Sequence, residues 1–140
     1  MERREFIGKC GLMCAVGISG IGILSTAGCK SADYAISNFE GNKIKILKSD
    51  FPIDKQYVLL KNPINEHPIY LRRSGGDYYA LLLECTHKGC TVRADNNELK
   101  CPCHGSKFSS SGAVTDGPAQ KPLKQYPVTQ DNSAIYVAIV

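Results

Sequence analysis

Two short blocks in the C-terminal third constrain this chain more than any other feature of its sequence. The first reads Cys85-Thr86-His87-Lys88-Gly89-Cys90, and the second reads Cys101-Pro102-Cys103-His104-Gly105-Ser106. Each block places one cysteine and one histidine within four residues and carries a second cysteine. Thiolates and imidazoles are ligands of soft metal centres, and glycine and proline suit loops in which ligands converge. The blocks therefore predict a metal site formed by two loops.

The blocks resemble the signature of Rieske proteins, which reads C-T-H-x-G-C followed by C-P-C-H-G-S. Residue types, order and both internal spacings agree. The resemblance implies a [2Fe-2S] cluster with two thiolate and two imidazole ligands: Cys85, Cys101, His87 and His104. It also implies a disulfide between Cys90 and Cys103, which Rieske proteins of the quinol-oxidising type carry. Such a bond requires an oxidising compartment.

Histidine ligation sets the redox behaviour expected of such a cluster. Two imidazoles in place of thiolates make the site about two charges less negative, so the site accepts an electron more readily. The reduction potential is expected in the broad window of about −150 to +300 mV. A structural zinc site is the competing interpretation, because both blocks also offer acceptable zinc ligands. Zinc would leave Cys90 and Cys103 without a role.

Residues near the blocks also match the family. Ser106 stands where Rieske proteins carry a serine that donates to a bridging sulfide and raises the potential. Phe108 replaces a tyrosine whose hydroxyl bonds a ligand sulfur in quinol-oxidising members, so a lower potential is expected, although an ordinary core role for Phe108 is compatible. Gly117 and Pro118 belong to residues 112–119, which resemble the loop that covers the cluster from the other side.

The first 28 residues have the layout of an export signal or a membrane anchor. Residues 3–9, RREFIGK, resemble the twin-arginine motif, which directs the export of folded cargo such as a protein with a preassembled cluster. Residues 10–27 carry no charge. Residues 27–29 resemble the end of a bacterial lipobox, so Cys29 is expected to be lipidated. An uncleaved transmembrane anchor and simple secretion remain alternatives.

Cysteine usage favours the lipidated form. If processing removes Cys10 and Cys14, five cysteines remain: two on iron, two in the disulfide and Cys29. No free thiol is then left in an oxidising space. The protein is therefore expected in the bacterial cell envelope, attached to the membrane with its domain on the non-cytoplasmic side.

The rest of the chain predicts an all-β fold. Residues 29–41 are polar and lack periodicity, which is typical of a tether, and residues 42–140 are assigned to the Rieske domain. No stretch there shows a sustained helical period. Seven runs rich in β-branched and aromatic residues predict strands: 44–47, 57–60, 69–72, 78–83, 91–93, 123–128 and 134–140. Residues 74–77 and 95–98 predict turns. These runs fit the stacked antiparallel sheets of Rieske domains, in which two loops hold the cluster.

Charge and the remaining histidine exclude other functions. A net charge of +4 is too mild to argue for nucleic acid as a partner. His67 is the one histidine outside the two blocks. It precedes Pro68 in a polar stretch, and we expect a solvated side chain. With His67 alone available, a Ser-His-Asp catalytic site is not expected.

The resemblance implies one-electron transfer, with enzymatic activity belonging to a complex. One expectation is the iron–sulfur subunit of a quinol-oxidising cytochrome bc-type chain, with cytochrome b and a c-type cytochrome as partners. Lys88 argues against it, because the usual residue is a leucine and a lysine is costly to desolvate at a docked surface. The alternative is a stand-alone carrier or the small subunit of a periplasmic oxidoreductase such as arsenite oxidase, whose partner is a molybdenum enzyme.

Overall fold

A computed structural model of the chain describes residues 34–95 and 97–140. The described part contains a short 3₁₀ turn at Lys48–Asp50 and twelve strands. The strands are β1 (Asn38–Glu40), β2 (Lys43–Leu47), β3 (Tyr57–Leu60), β4 (Ile69–Ser74), β5 (Asp77–Leu82), β6 (Arg93–Ala94), β7 (Glu98–Lys100), β8 (Lys107–Ser109), β9 (Val114–Asp116), β10 (Gln125–Tyr126), β11 (Val128–Gln130) and β12 (Ala134–Ala138). The predicted all-β class is confirmed.

The strands form three four-stranded antiparallel sheets. Their orders are β1-β2-β12-β11, β10-β5-β4-β3 and β6-β7-β8-β9. The middle sheet, which contains β3, β4, β5 and β10, contributes side chains to two separate cores, because successive residues of a strand point to opposite faces. In β4, Ile69 and Leu71 belong to the first core, whereas Tyr70 belongs to the second. The sheets therefore stack as predicted.

The second core underlies the two cysteine–histidine blocks. It combines residues of the middle sheet with residues of the β6–β9 sheet and of both loops: Tyr70, Leu81, Leu83, Cys85, Val92, Leu99, Cys101, Phe108, Ala119 and Leu123. Each fully buried Leu or Phe side chain contributes about 1.5–3 kcal/mol to folding. The buried hydroxyl of Tyr70 accepts a hydrogen bond from Arg72 Nη1 at 3.0 Å. Burial raises the pKa of Tyr70, so this hydroxyl stays protonated.

The structure extends the strand prediction. The run predicted at 123–128 is divided at Pro127 into β10 and β11. The β6–β9 sheet was largely missed, since only residues 91–93 were expected to form a strand there. Strand β1 lies inside residues 29–41, which were expected to be an irregular tether, and pairs with β2. The ordered fold therefore begins before residue 42.

Both predicted turns are present. Ser74 pairs with Asp77 to close the β4–β5 hairpin. The Asp95 N–H donates to the Glu98 carbonyl at 3.0 Å and closes the β6–β7 hairpin. The predicted export motif, anchor and Cys29 lie outside the described residues. Within residues 34–95 and 97–140, no helix has the length and apolar character needed to cross a membrane.

Candidate metal centre

The two blocks form loops with the same backbone design. The first loop lies between β5 and β6, and the second lies between β7 and β8. In each, the N–H of the first cysteine donates to the carbonyl five residues later, from Cys85 to Cys90 and from Cys101 to Ser106, both at 2.8 Å. The N–H of the residue four positions on, Gly89 or Gly105, donates back to that cysteine's carbonyl at 2.8 or 3.2 Å. These bonds fold each block into a compact loop.

Glycine is required by the geometry at the fifth position of both loops. Gly89 has φ of 74° and Gly105 has φ of 81°. A side chain is strained in this left-handed region, whereas glycine enters it freely. The repeated glycine in the sequence motif is therefore explained by the backbone.

Three long-range bonds join these loops to each other and to the segment after β9. The first is the disulfide between Cys90 and Cys103, which the structure contains as the resemblance implied. In the second, the Ala119 N–H donates to Ser106 Oγ at 3.0 Å. In the third, the Thr86 hydroxyl donates to the Lys121 carbonyl at 2.6 Å. We call the joined surface of residues 86–90, 102–105 and 117–121 the tip.

The side chains expected as ligands are gathered beneath and on the tip. Cys85 and Cys101 are buried, and neither forms a disulfide. The rings of His87 and His104 are perpendicular, with centroids 4.8 Å apart. His87 is half-buried, whereas His104 is exposed. The fold thus brings the two imidazoles into contact and places both thiols in the second core.

One buried ring atom shows that this arrangement fits a metal. Nδ1 of His87 is buried and has no hydrogen-bond partner among residues 34–95 and 97–140. A buried polar atom without a partner costs free energy, and metal coordination is one way in which a ring nitrogen is satisfied. Two buried thiols that form no disulfide point the same way. The donor set fits a cluster with mixed thiolate and imidazole ligation.

The disulfide lies directly beside one of the free thiols. The sulfur atoms of Cys90, Cys101 and Cys103 lie within 4.8 Å of one another. Because Cys90 and Cys103 are bonded to each other, this group is not a three-thiolate metal site. The bridge lies against the thiol of Cys101, which is buried.

The comparison with protein families identifies the domain that carries this site. The family model of the Rieske [2Fe-2S] domain matches residues 43–127, which include both loops and the segment that covers them. The chain belongs to the Rieske family. Rieske domains bind a [2Fe-2S] cluster, and the donor set of this domain fits that cofactor.

Several known Rieske proteins are similar to part of the chain. A cytochrome b6-f complex iron-sulfur subunit of Chlorobaculum tepidum is 38% identical over 77 residues, which are 54% of this chain and 42% of that subunit. A cytochrome bc1 complex Rieske iron-sulfur subunit of Corynebacterium diphtheriae is 43% identical over 68 residues, 45% of this chain and 17% of that subunit. The chain therefore spans less than half the length of these curated relatives.

A solved structure supports the Rieske fold. The crystal structure of the cyanobacterial plasma membrane Rieske protein from Synechocystis PCC 6803 has a TM-score of 0.51 with this chain. Its sequence is 30% identical, and the match covers 59% of this chain and 85% of that one. The stacked sheets described above are thus those of a Rieske domain.

The residues expected around the cluster differ in burial and in hydrogen bonding. Ser106 is fully buried, and its Oγ accepts from Ala119, so the hydroxyl hydrogen remains available for a further acceptor. Phe108 is also fully buried and packs in the second core, as the alternative interpretation of this residue expected. Gly117 and Pro118 are exposed in the segment after β9, where Ala119 makes the contact with Ser106.

The expectation for His67 was wrong. Only 9% of His67 is exposed, and its Nδ1 lies 2.8 Å from Thr91 Oγ1, immediately after the first Rieske loop. The backbone N–H of His67 donates to Asn65 Oδ1 at 3.0 Å. The polar stretch around His67 suggested solvent, and no local signal in the sequence identifies a partner that lies 24 residues away.

Proposed function

We propose that this Rieske protein carries single electrons and that Cys85, Cys101, His87 and His104 hold its cluster. The observation that supports the assignment most strongly is the buried Nδ1 of His87, which has no hydrogen-bond partner among the described residues and whose ring contacts that of His104. Cys85 and Cys101 are buried free thiols. A [2Fe-2S] cluster with this ligand set supplies one-electron redox chemistry at a raised potential.

The surrounding residues have distinct tasks in this proposal. Cys85 and Cys101 hold their thiolates in the apolar second core, which excludes water from that side. His104 is exposed, so its ring provides the route by which an electron or a proton reaches a partner or solvent. The hydroxyl of Ser106, whose hydrogen is left free by the bond from Ala119, would donate to a sulfur atom of the cluster and thereby favour the reduced state.

The protein is proposed to serve as the iron–sulfur subunit of a quinol-oxidising cytochrome bc-type chain. Relatives from two different bacteria are named as subunits of cytochrome b6-f and bc1 complexes. The disulfide between Cys90 and Cys103 belongs to the same type of Rieske protein. Cytochrome b and a c-type cytochrome would then be the partners.

One observation favours a second candidate. Lys88 is exposed on the tip, where an apolar residue would suit docking in a quinol site. A stand-alone carrier, or the small subunit of a periplasmic oxidoreductase with a molybdenum enzyme as partner, tolerates a charged tip more readily. This candidate has the same cluster and ligands.

Purification from native membranes distinguishes the two candidates. A tagged copy should retain cytochrome b and a c-type cytochrome in mild detergent, and haem spectra should identify both. Retention of molybdenum instead would favour the oxidoreductase subunit. Recovery of the tagged chain without either partner would favour a stand-alone carrier and would contradict the cytochrome bc-type assignment.

Membrane attachment on the non-cytoplasmic side is also proposed, through a lipid on Cys29 after twin-arginine export. Residues 3–9 and 27–29 support the proposal. Mass spectrometry of the mature protein should find a diacylglyceryl group on a chain that begins at Cys29, and Cys29→Ser should leave the precursor uncleaved. An intact Met1 without lipid on Cys29 would instead indicate a transmembrane anchor.

A further inference from the structure

We infer that the tip docks onto an acidic surface of a redox protein, guided by Lys88 and Lys121. This inference rests on the proposed electron-transfer function and specifies the chemistry of the partner. The surface is the one through which the cluster would exchange electrons, because the exposed His104 lies on it. The charge distribution around His104 therefore selects the partner.

The two lysines belong to one surface although 33 positions separate them in the sequence. The hydroxyl of Thr86, two residues before Lys88, bonds the backbone carbonyl of Lys121 at 2.6 Å. The disulfide between Cys90 and Cys103 ties the first loop to the second, which carries His104. Lys88, Lys121 and His104 are all exposed. Two cationic side chains therefore lie on the same joined surface as the exposed imidazole.

Neither lysine has an acidic partner within residues 34–95 and 97–140. The ion pair formed in this part of the chain joins Lys107 to Glu98 at 3.8 Å, below the tip. Asp116 ends strand β9 just before the tip residues 117–121, and it pairs with Lys107 of β8. Both tip lysines thus remain available to a partner.

Glu84 is the acidic residue at the base of the first loop, and it forms no ion pair with Lys88. Glu84 is half-buried and precedes Cys85 at the base of the loop. Its Oε1 lies 3.6 Å from the position that a Cβ on Gly89 would occupy, so the carboxylate packs against the loop backbone. The outward face of the tip keeps a positive balance.

Physical constraints on docking specify the partner. Burial of two ammonium groups against an apolar surface would leave both charges unpaired, which costs free energy. Carboxylates on the partner remove this cost and also accelerate encounter by electrostatic steering. The surface that fits the tip is therefore an acidic patch around the cofactor of another protein.

Electron transfer to two small complexes of opposite charge tests the local charge of the tip. The reduced protein gives one electron either to ferricyanide, which becomes ferrocyanide, or to tris(phenanthroline)cobalt(III), which becomes the cobalt(II) complex. Stopped-flow absorbance measures both second-order rates at low and high ionic strength. The wild-type rate with ferricyanide should fall as salt is added, whereas the rate with the cobalt complex should rise.

Charge-neutral variants give the size of the effect. For a triply charged probe about 10 Å from the ammonium group, Lys88→Gln or Lys121→Gln should lower the rate of electron transfer to ferricyanide roughly fivefold at about 10 mM ionic strength. In the double variant, the rate with ferricyanide should fall roughly 20-fold, and the rate with the cobalt complex should rise by a similar factor. The visible spectrum of each variant confirms that the cluster is retained.

Lys55→Gln is the matched control, because it removes the same charge far from the tip. Lys55 is exposed just before β3, at the end of the middle sheet where Tyr57 pairs with Arg72. The first loop instead leaves the opposite end, where Leu60 and Leu82 each pair with Ile69. Lys55→Gln should change neither rate by more than the small effect of net charge.

The outcomes separate this inference from the proposed function. Salt dependences of the same sign for the two probes, or equal effects of Lys88→Gln and Lys55→Gln, would overturn the docking inference and leave electron transfer intact. Absence of the cluster spectrum and of both reactions in the wild type would refute the proposed function and the inference together. A rate pattern that follows Lys88 and Lys121 supports both.

Discussion

Removal of the Cys90–Cys103 disulfide should destabilise the domain by an amount that depends on the length of the loop that the bond closes. The bond joins positions 13 residues apart and encloses Cys101 together with the β6–β7 hairpin. Loop-closure entropy for a loop of this size gives about 3 kcal/mol at 25 °C. Cys103 is exposed and Cys90 is half-buried, but the bridge lies beside the sulfur of Cys101 and Cys90 packs against the second core. The double variant Cys90→Ala/Cys103→Ala therefore removes this packing together with the covalent constraint, and about 3 kcal/mol is the share expected from the constraint.

Thermal unfolding of the cluster-loaded protein measures this effect. Since 1 kcal/mol corresponds to about 4 °C or more in a domain of this size, the midpoint should fall by about 12 °C or more. Far-UV circular dichroism follows the backbone, and visible absorbance follows the cluster at the same scan rate. Reductant provides the control: because it also reduces the cluster, both proteins are compared in the reduced state, where the wild-type midpoint should coincide with that of the double variant.

A fall of less than about 4 °C would refute the loop-closure reasoning. It would mean that the loops' own hydrogen bonds and the bonds from Ala119 and Thr86 carry most of the stability of the folded loops. A difference between the two midpoints that persists in the reduced state would show instead that the substitutions act through lost packing and not through the covalent bond.

Three further predictions follow from individual side chains. Alanine at any one proposed ligand (Cys85, His87, Cys101 or His104) should abolish the cluster, and iron and sulfide analysis that still finds two irons in any variant would contradict the ligand set. Ser106→Ala should lower the midpoint potential and Phe108→Tyr should raise it, because the first removes and the second adds a donor to sulfur; protein-film voltammetry giving the opposite signs would exclude both roles. Backbone hydrogen bonds from Ser133 and Ala134 lower the pKa of the Asp131 carboxyl in the folded state, so its stabilising contribution is present above the unfolded pKa of about 4 and is lost as pH falls below it. Denaturant unfolding should therefore show a steeper loss of stability in acid for the wild type than for Asp131→Asn, and equal slopes would exclude this role.

The sequence predicted the parts of the site whose signals are local. Each loop draws its cysteine, histidine and glycine from six consecutive residues, so spacing alone indicated both loops. Strands of the middle sheet were predicted because both of their faces are covered and the residues are mostly apolar. Strands β7 and β8 were missed because each buries only one side chain, Leu99 or Phe108, between partly or fully exposed neighbours.

Contacts between distant segments could not be predicted from the sequence. Thr86 meets Lys121 across 35 positions, and His67 meets Thr91 across 24. Threonine and histidine in polar stretches usually remain solvated, and no pattern marks the exceptions. These contacts depend on how the β6–β9 sheet packs against the middle sheet, which only the folded chain determines.

The proposed roles assign the potential and the choice of partner to separate residues. Ser106 and Phe108 are fully buried beneath the tip, where a low dielectric would make a hydrogen bond from Ser106 to sulfur effective and screening by salt small. Lys88 and Lys121 lie in water, where their influence on a partner is long in range but reduced by salt. Substitution of either lysine should thus change rates of encounter with little effect on the midpoint potential, whereas substitution of Ser106 should shift the potential without altering the salt dependence. A large potential shift in Lys88→Gln would mean that the tip and the buried site are electrostatically coupled, and this separation would then fail.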